Sequence, residues 1–147
     1  MPISNAVREV FKKGRDDNPA SWRWIIAFYE YVITLPVWGE RHLPLLRLVH
    51  QVADGSDAAN FRAGQSLHDL VISTQPQNGL AEDDPYIRVG PGAETAMFDI
   101  EYWRGGNVGD LMEGHTVPES QAMSTLKPLL ARLRSEAKVA VANAPKE

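Results

Sequence analysis

The stretch TAMFDIEYW, residues 95–103, decides the fold of this chain of 147 residues. Its residues form two alternating sets, Ala96, Phe98, Ile100 and Tyr102 in one and Met97, Asp99, Glu101 and Trp103 in the other. A period of two is typical of a β-strand that buries one face and exposes the other to water. The pattern therefore predicts a strand that directs the second set outward.

Two further segments before this stretch also favour strands, residues 67–74 and the short segment 85–89. The connections contain turn residues, QNG at 77–79 and GPG at 90–92. Neither connection is long enough for a crossover helix of ordinary length. The three strands are therefore predicted to form an antiparallel meander.

The segments before the strands have a helical period. A short apolar stripe at residues 7–11 precedes Gly14, and a second helix is predicted from Pro19 to Ile33, with Asn18 as its N-cap. A third helix is predicted to enter near Pro44 and to end before Gly55. Residues 54–66 lack a sustained period and are predicted to form a connection.

After the strands, the glycine-rich segment 105–110 predicts a loop. Thr116 and Glu119 have the spacing of a capping box, which predicts a final helix that continues to about Ala142 and bends at Pro128. The sequence as a whole predicts an α+β fold, with N-terminal helices, a three-stranded antiparallel meander and a C-terminal helix packed on the sheet. We expect one domain over residues 1–142 and a frayed tail over 143–147.

Composition excludes several functional classes. The chain has no cysteine, and its formal net charge of -4 is unlike that of proteins that bind nucleic acid through clustered Lys and Arg. Its longest strongly apolar run, residues 24–29, is much shorter than a membrane span, and the first ten residues do not resemble a secretory signal. These features predict a cytoplasmic protein with no nucleic-acid or membrane partner.

Charge is concentrated in the middle of the sequence. Residues 61–115 contain 3 Lys or Arg and 9 Asp or Glu, whereas residues 1–60 contain 7 of each. Such a segment favours attraction to a basic partner.

Enzyme motifs are incomplete. Asp99 and Glu101 point the same way on the predicted strand, but the position two residues after Glu101 is Trp103, where a nuclease-like motif needs Lys. Ser66, His68 and Asp69 supply the residue types of a hydrolase triad without the Gly-x-Ser-x-Gly turn. The four histidines do not have the spacing of a zinc motif, so neither a metal nor a cofactor is predicted.

Three functional hypotheses follow. The first is a noncatalytic binding or accessory protein that docks a basic protein partner through Met97, Asp99, Glu101 and Trp103. The alternative is a small hydrolase-like or metal-assisted enzyme that uses His68 with Asp69, Asp99 or Glu101. The third is a homo-oligomer that assembles through the aromatic helix 19–33.

Overall fold

The computed structural model describes residues 18–74, 84–94, 96–104 and 109–142, with only the backbone for 137–142. The helical stripe predicted at residues 7–11, the turn at 77–79 and the tail 143–147 lie outside the described residues.

Two helices begin the described part of the chain, α1 (Asn18–Val32) and α2 (Gly39–Ala53). The predicted helix from Pro19 to Ile33 is confirmed to within one residue at each end. The predicted start of the next helix near Pro44 is wrong, because α2 begins five residues earlier. An added Cβ on Gly39 would lie 2.4 Å from the backbone oxygen of Ile33, so glycine is needed where the two helices meet.

Five antiparallel strands follow, β1 (Arg62–Ser66), β2 (Asp69–Ser73), β3 (Pro85–Pro91), β4 (Met97–Arg104) and β5 (Asp110–Pro118), and the chain ends with helix α3 (Glu119–Ala142). Each strand pairs with the next along the chain, in the order β1-β2-β3-β4-β5. The α+β class and the antiparallel meander are confirmed, but the prediction of three strands is wrong.

The missing strands lie at the two edges of the sheet. β1 occupies part of the predicted connection 54–66, which also contains a 3₁₀ turn at Ala58–Asn60. β5 replaces the predicted capping box, because Thr116 lies within the strand and its hydroxyl donates to Asp99 at 2.7 Å. Glu119 is the first residue of α3 and not its third. The local sequence resembled a helix cap, but pairing with β4 determines the structure.

The helices cover one face of the sheet, where one hydrophobic core contains side chains from all the helices and from β1 to β4. Helix α1 places four buried aromatic side chains in this core, namely Trp22, Trp24, Phe28 and Tyr29. These side chains are therefore not available to a second copy of the chain. In the described part of the chain, no helix is long and apolar enough to cross a membrane.

Candidate functional site

The outward face of β4 carries the four residues that the sequence predicted to face away from the core. Phe98, Ile100 and Tyr102 are at most 1% exposed, whereas the alternating set is half-buried, namely Met97, Asp99, Glu101 and Trp103. The predicted alternation is confirmed from Met97 to Trp103, but it is wrong for Ala96, which precedes β4, is exposed and has a φ of 63°. The buried side chains of the helices pack with Phe98, Ile100 and Tyr102, on the other face of the sheet.

Neighbouring strands add side chains to the same face. The register places Arg88 of β3 opposite Glu101, Tyr86 opposite Trp103, and Thr116 of β5 opposite Asp99. Paired residues in an antiparallel sheet lie on the same side of it, so these three belong to the outward face. We call this surface of β2 to β5 the outward face.

Two aromatic rings and one carboxylate contact each other at one end of the outward face. The rings of Tyr86 and Trp103 are stacked, with centroids 6.4 Å apart and planes inclined by 8°. The indole Nε1 of Trp103 donates to the Glu101 carboxylate at 3.1 Å. Burial raises the pKa of Tyr86; nearby Arg88 lowers it and Glu101 raises it. The aromatic pair therefore lies close to charge of both signs.

One ion pair crosses the outward face. The Arg88 Nε donates to the Asp69 carboxylate at 2.7 Å. An added Cβ on Gly90 would lie 2.4 Å from Asp69 Oδ1, so glycine provides the space in which this carboxylate lies. Asp99 and Glu101 take part in none of the ion pairs found among the described residues.

His68 lies apart from Asp99 and Glu101. It occupies the β1–β2 turn, where Leu67 and His68 have φ angles of 51° and 72°. Its ring lies against rings of α1, α2 and the segment between them, with centroids 6.0 Å from Phe28, 5.0 Å from Trp38 and 6.0 Å from His42. The helices lie on the opposite side of the sheet from the outward carboxylates.

Asp69, one of the predicted partners of His68, accepts a hydrogen bond from Arg88. The backbone of His68 is held by α1, because the Tyr29 hydroxyl donates to the backbone oxygen of His68 at 2.8 Å. The structure brings Asp69, Asp99 and Glu101 to one face, whereas the ring of His68 contacts aromatic rings on the side of the helices. In the part of the chain that the structure describes, no group of three or more His, Asp or Glu side chains is arranged to hold a metal ion.

A cavity of about 370 Å³ lies between the start of α2 and the β3–β4 turn. Arg41 closes one side by donating to the backbone oxygen of Gly92 at 3.0 Å. Met97 lines this cavity and also belongs to the outward set. The cavity therefore adjoins one member of the outward set, Met97.

His42 is a buried titratable group that the sequence analysis did not single out. It is 2% exposed, and its Nδ1 lies 2.9 Å from the backbone oxygen of Trp38. Burial lowers the pKa of His42; the bond to Trp38 and the Asp69 charge raise it, while His68 and Arg41 lower it further. The helical period of α2 gave a signal, because His42 lies on the same face as Leu45 and Val49.

The lowered pKa of His42 predicts that acid destabilises the fold below neutral pH. The unfolded chain binds a proton on this side chain with an ordinary pKa of about 6.5, and the folded chain binds it less readily. The free energy of unfolding should therefore decrease as the pH falls from about 7.5 to about 5.5. Urea unfolding followed by circular dichroism at several pH values measures this slope.

A variant with His42→Phe retains an aromatic ring at this position and removes the titration, so we expect a flatter pH dependence. The control is His50→Gln, which changes an exposed histidine on the same helix and should retain the contribution of His42 to the slope. Equal slopes in wild type and His42→Phe would show that another group causes the effect.

Comparisons with known proteins give no relative. No protein-family model, curated protein or solved structure matches the chain. The candidate site therefore rests on the geometry of this molecule.

Proposed function

We propose that the protein is a noncatalytic binding protein that docks a basic protein partner through its outward face, with Met97, Asp99, Glu101 and Trp103 as the contact residues. A cytoplasmic location is part of the proposal, since a chain without cysteine needs no oxidising compartment. The enzyme alternative has less support, because the His68 ring packs against the helices.

The observation that carries the proposal is the charge of the outward face. Its described strand residues include three carboxylates, Asp69, Asp99 and Glu101, and one guanidinium, Arg88. Arg88 lies opposite Glu101 in the register but donates to Asp69, and among the described residues no cation forms an ion pair with Asp99 or Glu101. A Lys or Arg side chain from a partner would supply that cation.

The neighbouring apolar groups fit a protein partner. Trp103 and Tyr86 form a stacked pair beside Glu101, and aromatic residues dominate the binding energy of many interfaces. Met97 adds an adaptable apolar contact at the other end of β4. Carboxylates beside fixed aromatic rings favour a partner surface that combines basic and apolar side chains.

The test reverses the two unmatched charges with Asp99→Lys combined with Glu101→Lys. Tagged wild type and variant are used to capture proteins from the native cell, and the proteins retained by the wild type are identified by mass spectrometry. The proposal expects a protein rich in Lys and Arg that the variant loses. Titration of that purified partner should show at least a tenfold weaker affinity for the variant, and weaker wild-type binding in higher salt.

The matched control is Glu30→Lys combined with Asp54→Lys, which makes the same change in net charge at exposed positions on and after the helices. It should retain the partner, and circular dichroism should show both variants folded. Equal losses in the two variants would show that net charge alone is responsible. A partner that both variants hold as tightly as wild type would rule out the outward face.

A further inference from the structure

The two edges of the sheet are protected differently. At the β1 edge, the backbone N–H of Ala63 donates to the Ser21 hydroxyl of α1 at 2.9 Å. β5 is the last strand in the order, and its outer edge pairs with no strand of the described residues. Most of its residues are exposed, and Leu111 and Met112 are 50% and 47% exposed. A long exposed edge strand is a template for pairing with another chain.

The free hydrogen-bonding groups of β5 are identified by its ladder with β4. The N–H of Glu119 donates to the Ala96 oxygen at 3.2 Å, which continues the β4–β5 register by one pair. In an antiparallel ladder the bonded pairs recur at every second residue, so Glu113, His115 and Val117 direct their backbone groups to β4. Gly114 and Thr116 therefore direct their N–H and C=O groups to the free edge.

We propose that two copies of the chain pair antiparallel through β5, with Gly114 on the two-fold axis. Residues 112–116 of one copy then align with residues 116–112 of the second copy, and the pairing ends where the β4–β5 register shifts near Leu111. The free groups of Gly114 bond to those of its counterpart, and the free groups of Thr116 face Met112 of the second copy. Such an isologous contact closes a dimer and leaves no free β5 edge.

Charge selects this register. Side chains keep their faces only when the strands shift by two residues at a time. Centring on Glu113 would oppose two carboxylates, and centring on His115 would oppose two imidazoles. Centring on Gly114 places each Glu113 opposite His115 of the second copy, next to the Glu113–His115 contact that each chain already makes. Opposite pairs across strands stabilise a sheet and like charges destabilise it.

Gly114 supplies an independent argument. Glycine weakens a strand interior and often marks the close approach of another backbone. An added Cβ at Gly114 would meet nothing nearer than the Leu111 side chain, at 3.9 Å, and its φ is not in the left-handed region. The single chain therefore does not require glycine there, whereas the axis of a paired dimer brings two backbones together at this residue.

Pairing through β5 would produce a ten-stranded sheet with both outward faces on the same side. The variants that test the dimer change Glu113, Gly114 and His115, none of which belongs to the proposed partner-binding set of Met97, Asp99, Glu101 and Trp103. A monomeric variant can therefore still be tested for partner binding, and each proposal can fail without the other.

The test is sedimentation velocity of the full chain over a wide range of concentration, with hydrogen exchange of the backbone amides measured at both ends of the range. We expect a reversible dimer and slower exchange of the Gly114 and Thr116 amides at high concentration. The Glu113→Lys variant removes the carboxylate that faces His115 in each pair, and its dimer should dissociate about tenfold more readily. Combining it with His115→Glu restores opposite charges and should restore the dimer.

Two further variants complete the design. Glu30→Lys makes the same charge change on the exposed side of α1 and should leave the dimer intact. Gly114→Pro removes an N–H that points away from β4 and bonds to none of the described residues, so the monomer should fold and remain monomeric. A wild type that stays monomeric at high concentration overturns the proposal. So does a dimer that tolerates Gly114→Pro or leaves the Gly114 and Thr116 amides unprotected.

Discussion

Ile100→Ala should lower the free energy of unfolding by about 2–5 kcal/mol, the cost of a cavity in a packed core. Ile100 is 0% exposed and lies in the middle of β4, with Val89 and His115 beside it on the neighbouring strands. The sheet and the helices that cover it are both packed, so neither can close the space that the lost methyl groups leave. Urea unfolding followed by circular dichroism measures the change.

Two variants on the same strand serve as controls. Met97→Ala also truncates a large apolar side chain, but on the half-buried outward face, where solvent can fill the space, so we expect a loss of about 1 kcal/mol or less. Glu101→Ala removes a carboxylate that accepts one bond from Trp103 and should cost about 0.5 kcal/mol. A loss for Met97→Ala as large as that for Ile100→Ala would mean that the outward face is covered.

The sequence predicted correctly those helices and strands in which the spacing of apolar residues matches the residues that are buried. β4 alternates between core and outward face, and α1 buries a wide apolar face that its own residues define. The final helix was also found, although its start was assigned two residues too early because Thr116 and Glu119 imitate a cap. In each case the apolar period belongs to the segment itself.

The strands that sequence patterns missed owe their structure to neighbours. β5 is exposed on both faces for most of its length and has no apolar alternation, and Gly114 interrupts its centre. β1 has the sequence RAGQS, with Ala63 as its only apolar side chain. Such strands are specified by their register with β4 or β2, which joins residues distant along the chain.

Only part of the candidate site could be predicted from the sequence. The outward positions of Asp99 and Glu101 followed from the alternation of one strand. Tyr86 and Arg88 required the β3–β4 register, and Thr116 required a strand that was not predicted. The position of His68 depends on a left-handed turn and on rings from α1 and α2, which no local spacing reports.

Glu136→Ala should lower the free energy of unfolding by about 2–3 kcal/mol, because it removes one acceptor shared by several donors. The Glu136 carboxylate accepts bonds from the Tyr102 hydroxyl at 2.9 Å, Arg104 Nη2 at 2.8 Å and Arg132 Nε at 2.9 Å. The Arg132 guanidinium also lies 4.3 Å from the centre of the Tyr102 ring. The group joins α3 to β4, and Tyr102 is 0% exposed, so its hydroxyl depends on this acceptor.

Protonation of Glu136 in acid should remove the same contribution of its carboxylate to the free energy of unfolding. Burial alone would raise the pKa of Glu136, but the bonds from Arg132, Tyr102 and Arg104 together hold that pKa below its ordinary value. An acid whose folded pKa is depressed stabilises the fold above its unfolded pKa, and this stabilisation is lost as the pH falls through the folded value. The wild type should therefore lose stability below about pH 4.5 more steeply than Glu136→Ala.

Glu119→Ala is the matched control, since Glu119 accepts two bonds from Arg47 at the protein surface, at 2.8 and 2.9 Å. The Glu119→Ala change should lower the free energy of unfolding by less than about 1 kcal/mol, because water replaces the partner of an exposed ion pair.

A second variant, Tyr102→Phe, tests whether the Tyr102 hydroxyl depends on Glu136. In the Tyr102→Phe background, Glu136→Ala should lower the free energy of unfolding measurably less than it does in the wild type. Equal costs in both backgrounds would show that the Tyr102 hydroxyl does not depend on Glu136, and that only the arginines bind α3 to β4 through this carboxylate.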